Sequence, residues 1–98
     1  MNSINGRSSQ ETPIHCKVVY RRISEPDGVA GEGISFSGGG IQFRGALPLR
    51  IAEAAEVHID AVKGLSPPLT AYIEVSRCDR EDSGNYRISG VIKGIRSE

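Results

Sequence analysis

The sequence predicts an all-β domain, a small antiparallel barrel or sandwich of about six short strands. Three observations predict it. Apolar and polar residues alternate in short runs, as in Val57-His58-Ile59 and Ala71-Tyr72-Ile73-Glu74-Val75, which is the period of a half-buried strand. Breaker clusters rich in glycine, proline and aspartate separate those runs and mark turns. The segment Ser35-Phe36-Ser37-Gly38-Gly39-Gly40-Ile41-Gln42-Phe43 packs two strands and a glycine-dense kink together. Phe36 and Ile41 are both large and apolar, yet an odd number of positions separates them. An unbroken strand would therefore send one of them into water. A bulge or tight turn absorbs the mismatch. Glycines supply the backbone freedom for it and let a ligand approach the chain closely.

The elements follow in order. Residues 1–13 are polar, end at Pro13 and read as a flexible arm, with residues 14–98 as the folded domain. Residues 15–23 form the first strand, with Cys16, Val18 and Tyr20 inward and Lys17, Val19 and Arg21 outward. Glu25-Pro26-Asp27-Gly28 is a turn, because proline presets φ and Asp-Gly suits a tight position. Residues 31–37 form the second strand and 41–43 the third. Residues 46–56 are alanine-rich, which favours a short helix, while Pro48 limits its start. One or two helical turns, or a loop, lead into a strand at 56–62. Gly64–Pro68 breaks the chain. Residues 69–78 place Leu69, Ala71, Ile73 and Val75 on one face. A polar hairpin loop, Asp79–Asn85, precedes the last strand at 86–95.

Composition narrows the function. The 98 residues carry 12 basic and 12 acidic side chains and no net charge, so the basic surface of a nonspecific nucleic-acid binder is missing. The N-terminal ten residues lack an apolar signal core, and no run approaches the roughly 20 apolar residues that span a bilayer. The expectation is a soluble, cytoplasmic chain without membrane insertion. Cys16 and Cys78 read as reduced, buried thiols. His15 and His58 make no metal-ligand spacing with them. No nucleophile elbow or phosphate-binding loop motif occurs, so the chain does not read as an enzyme.

Several charges are ambiguous. Arg21 and Arg22 are strand neighbours aimed at opposite faces, which argues against a shared anion clamp. Arg44 is either an anion ligand or a surface charge. Glu53 and Glu56 suit one face of a helix. Asp79, Glu81 and Asp82 crowd a loop without the spacing of a known calcium site.

The succession Ser-Phe-Ser-Gly-Gly-Gly-Ile (35–41), Ala-Leu-Pro-Leu (46–49), Glu-Val-His-Ile (56–59), Leu-Thr-Ala-Tyr-Ile-Glu-Val-Ser-Arg (69–77) and Tyr-Arg-Ile-Ser-Gly-Val (86–91) resembles the PilZ domain. The resemblance runs from about residue 7 to 95. It implies a six-stranded antiparallel β-barrel and, for many members, a bacterial receptor for cyclic-di-GMP. The implied site has two parts, an RxxxR motif before the first strand and a [D/N]xSxxG motif leaving the second. Guanidinium groups suit it because they stack on guanine and fork onto phosphate oxygens. In this chain Arg7 fits the first arginine, and Ser37 and Gly40 fit the serine and glycine. Ser35 stands where the family has Asp or Asn, and Glu11 where it has the second arginine. Lys17 and Arg21 imitate the arginine spacing inside a strand. The resemblance thus implies a ligand site of Arg7, Ser35, Ser37 and Gly40 in a degenerate member, with weak or lost nucleotide binding. The alternative it leaves is an adaptor in pilus biogenesis or motility that binds a protein partner and no nucleotide.

Overall fold

Alternation along the chain resolves into six strands: β1 (Glu11–Arg22), β2 (Val29–Ser37), β3 (Gly40–Gly45), β4 (Ala54–Ile59), β5 (Leu69–Arg80) and β6 (Tyr86–Ser97). The computed structural model describes residues 11–61 and 67–97. Every neighbouring pair is antiparallel, and the strands close into a barrel in the order β1-β2-β3-β6-β5-β4. Closure pairs every strand on both sides along part of its length, while the start of β1 and the end of β5 run past the shorter β4.

The inward rows make the core. Ile14, Val18, Tyr20, Ile41, Phe43, Val57, Ile59, Ile73, Val75 and Ile88 are buried, and Leu49 joins them from the β3–β4 connection. Tyr20 and Phe43 meet with ring centroids 4.9 Å apart and tilted planes, a geometry that suits the ring quadrupoles. Cys16 and Cys78 are free and half-buried, packed against this core. Burial, with a smaller contribution from Asp60, pushes the Cys16 thiol above its ordinary value, which makes it a poor nucleophile.

The odd spacing of Phe36 and Ile41 is resolved by a tight turn. They pair directly across the β2–β3 hairpin, Ser37 pairs with Gly40, and Gly38-Gly39 forms the two-residue loop. Gly38 has φ 53°, the sign that a two-residue hairpin needs at its first central position. Ile41 is buried, and Phe36 is half-buried against the core. Bulges occur elsewhere, in β1 between Pro13 and Cys16, in β2 between Gly33 and Ser35, and in β5 between Val75 and Arg77. His15 has φ 41° within the first of these.

Of the two readings left open for residues 46–56, helical turns or a loop, the loop holds. No helix forms among the described residues. Residues 46–53 run as a loop, because Leu47 and Leu49 alternate toward the barrel around Pro48 and Ala52 adopts φ 71°. The two backbone hydrogen bonds that would compete with helix go instead to β5, with Ala52 N donating to Val75 O and Val75 N donating to Glu53 O. Glu53 and Glu56 therefore share no helix face. They pair with Arg22 at 2.8 Å and Arg21 at 2.9 Å. Glu11, Thr12 and Pro13, expected at the end of the arm, are the first residues of β1.

Candidate functional site

Residues directly opposite in an antiparallel pair share a face, so the strand register lays out the outer surface in rows. One row runs Glu11–Ser37–Gly40–Val91–Glu74 across β1, β2, β3, β6 and β5. The next runs Pro13–Ser35–Gln42–Ser89–Arg77. The third runs Lys17–Glu32–Arg44–Arg87–Asp79. The bulges keep these rows aligned. Without the extra residue between Val75 and Arg77, Ser76 would stand opposite Ser89. Instead Ser76 leaves the ladder and its hydroxyl donates to the Ser89 carbonyl at 3.2 Å.

Ser35, Ser37 and Gly40 thus lie together on one outer face, with Glu11 opposite Ser37. Arg7 lies outside the described residues. Ser35 is only 4% exposed despite its outward row, so an aspartate there would place a charge where water is scarce. The glycine turn is tied to the neighbouring strand, because Ile92 N donates to Gly39 O at 2.6 Å. Beside it lies a cavity of about 330 Å³, lined by Ser37, Gly39, Gly40, Gln42, Ser89 and Val91 among others. That volume is at the small end of ligand pockets. A second cavity of about 190 Å³ adjoins it and shares Gln42 and Ser89, with Arg77, Asp79 and Arg87 completing the wall.

Sequence reasoning missed Gln42, Ser89, Arg77 and Arg87. Gln42 carried one signal, a polar residue between two core residues directly after the glycines. Ser89, Arg77 and Arg87 come from strands distant in sequence and carried none. The two residues that imitate the arginine spacing differ in their surroundings. Lys17 is exposed on β1, and Arg21 is held by Glu56 and by the Glu25 carbonyl at 2.9 Å.

Arg44 is not a free anion ligand. Its Nε donates to Glu81 Oε1 at 2.6 Å, its Nη2 to Glu81 Oε2 at 3.2 Å, and its Nη1 to Glu32 at 3.2 Å. Arg87 Nε adds a bond to Glu81 at 3.2 Å. The Arg44 hydrogen bond is the main cause holding the Glu81 carboxyl below its ordinary value of 4.5. A carboxyl lowered on folding contributes stability above its unfolded value, and that contribution is lost as pH falls through the folded value. Glu81→Gln is therefore expected to flatten the acid-side loss of stability, measured by urea unfolding at stepped pH below 4.5. An unchanged acid profile would remove Glu81 from this role. Among the described residues no cluster of His, Cys, Asp and Glu is arranged to hold a metal ion, and no helix is long and apolar enough to cross a membrane.

No known protein family, curated protein or solved structure was found to match the chain.

Proposed function

We propose that this barrel is a PilZ-like signalling module whose outer β2–β3–β6 face receives a cyclic-di-GMP-type nucleotide with weak affinity. The observation that carries the reading is that Ser35, Ser37 and Gly40, the motif positions, share one outer face beside a ligand-sized cavity. The closed six-stranded antiparallel barrel is the architecture the resemblance implies. Weakness follows from Glu11. Its carboxylate stands opposite Ser37 and repels a phosphodiester that an arginine there would attract. The reading involves no catalysis and no metal.

Titration calorimetry with cyclic-di-GMP tests it. The expected result is saturable heat, weaker than about micromolar affinity. Flat heats at about 1 mM ligand would reject nucleotide binding. Glu11→Arg is the informative gain-of-function variant, because Glu11 is exposed and tolerates the change. It is expected to tighten binding by about tenfold, the effect of one charge-assisted contact.

The second reading, a protein adaptor that binds no nucleotide, is favoured by a different surface. Ile51 is 68% and Ile23 48% exposed, and Ile23 borders a cavity of about 440 Å³ with Ala52, Ala54, Tyr72 and Lys93. Exposed aliphatics beside a groove are a feature of protein contact sites. This reading predicts flat nucleotide heats for wild type and for Glu11→Arg alike.

A further inference from the structure

The structure assigns a phosphate-binding subsite to the smaller cavity between β3, β5 and β6, with Arg77 and Arg87 as its cationic walls and Gln42 and Ser89 as its neutral donors. The assignment rests on the nucleotide reading for the source of the phosphate, but its residues are identified by geometry alone.

Register brings the four together. Ser89 stands opposite both Gln42 and Arg77, and Arg87 stands opposite Arg44 and Asp79 one step along the barrel. All four line one cavity of about 190 Å³, enough for a tetrahedral anion. A guanidinium has five N–H donors in a planar fork. Arg77 uses only Nε, on Asp79 Oδ2 at 2.5 Å. Arg87 uses only Nε, on Glu81 at 3.2 Å. Among the described residues, the terminal nitrogens of both side chains form no hydrogen bond. The acid beside Arg87 is also largely committed elsewhere, because Arg44 grips both Glu81 oxygens. Arg44 also pairs with Glu32, so the charges of this row balance, and what Arg87 keeps is its uncommitted terminal N–H donors. Among the described residues Asp79 is the one acidic group on the cavity wall. Its bond to Nε orients the Arg77 fork while leaving the terminal nitrogens for an anion.

The neighbouring cavity gives the subsite its meaning. It shares Gln42 and Ser89 and is walled by Gly39, Gly40, Gly90 and the 44%-exposed Val91. Glycine backbone and an aliphatic platform suit a flat ring, and the arginine pair suits the phosphate attached to it. In this chain Arg77 and Arg87 thus offer from β5 and β6 guanidinium donors of the kind that Glu11 does not provide on the N-terminal side.

The test uses amide NMR of the full chain, titrated separately with inorganic phosphate and with cyclic-di-GMP, for wild type and for Arg77→Gln/Arg87→Gln. Thermal melting checks that the variant, altered at exposed positions, stays folded. Phosphate is expected to shift the Arg77, Arg87 and Ser89 amides in wild type and not in the variant. Cyclic-di-GMP affinity is expected to fall by about tenfold or more in the variant. Phosphate shifts at these residues with no cyclic-di-GMP response would uphold the anion subsite while removing the nucleotide reading. Undiminished cyclic-di-GMP binding by the variant would overturn the subsite and leave the nucleotide reading standing. The absence of shifts at these residues with either ligand would overturn the subsite as well.

Discussion

Gly45→Ala is expected to destabilise the barrel by about 3 kcal/mol or more. A Cβ on Gly45 would lie 2.3 Å from the Tyr20 hydroxyl, 2.4 Å from Cε1 and 2.7 Å from Cζ. Tyr20 cannot swing away, because it is fully buried against Phe43 and its hydroxyl is anchored at both ends. It donates to Leu47 O at 2.8 Å and accepts from Leu47 N at 2.9 Å. Burial pushes the phenol above its usual range, so it remains a donor. The ring thus fastens the β3–β4 connection onto β1, and the added methyl would break that fastening as well as overpack the core. Tyr20→Phe keeps the ring and removes only the hydroxyl, and is expected to cost about 1–3 kcal/mol through the two orphaned Leu47 groups. Urea unfolding of both variants checks the order. Gly39→Ala is the contrast, since a Cβ there meets nothing within 4 Å, and its effect should stay within about 0.5 kcal/mol. A Gly45→Ala protein as stable as wild type would contradict the packing account.

Gly90→Ala is expected to cost about 2–3 kcal/mol. The new Cβ would lie 2.5 Å from Ile73 Cδ1 and 3.0 Å from Ile73 Cβ. Rotating the Ile73 tip relieves the first clash but not the second, which involves the atom fixed to the backbone. Ile73 is buried, so relief requires β5 and β6 to separate. Those strands carry Arg77 and Ser89 on one side of the candidate site and Gly90 and Val91 on the other. The variant is therefore expected to lose stability and to perturb amide shifts around Gly39 and Gln42 together. Thermal unfolding and an amide spectrum read both effects. A loss of stability with no spectral change at the site would separate the packing role of Gly90 from the site.

The strands were legible because burial on one face writes a period of two into the sequence. Val57 and Ile59, and Ala71, Ile73 and Val75, are buried as their alternation requires. The hairpin at Gly38 was legible from an odd spacing, since two paired residues flanking a two-residue loop are always an odd number apart. The alanine-rich stretch left helix and loop both open, and the loop prevails because intrinsic helix propensity is small beside the anchoring of Leu47 and Leu49 and the hydrogen bonds to Val75. The site was half legible. Ser35, Ser37 and Gly40 are close in sequence and stand out as a pattern. Arg77, Arg87 and Ser89 reach the same face only because β6 closes onto β3 and a bulge shifts β5 by one residue. Such a bulge leaves no local mark, since Ser76 and Arg77 both suit an exposed strand.

The most direct test of the account is an amide shift map of the intact chain during titration with cyclic-di-GMP. The account predicts shifts confined to the outer rows of β2, β3, β5 and β6, centred on Ser37, Gly39, Gly40, Gln42, Ser89 and Arg77. Shifts centred instead on Ile23, Ile51 and Tyr72, or no shifts at about 1 mM ligand, would contradict it.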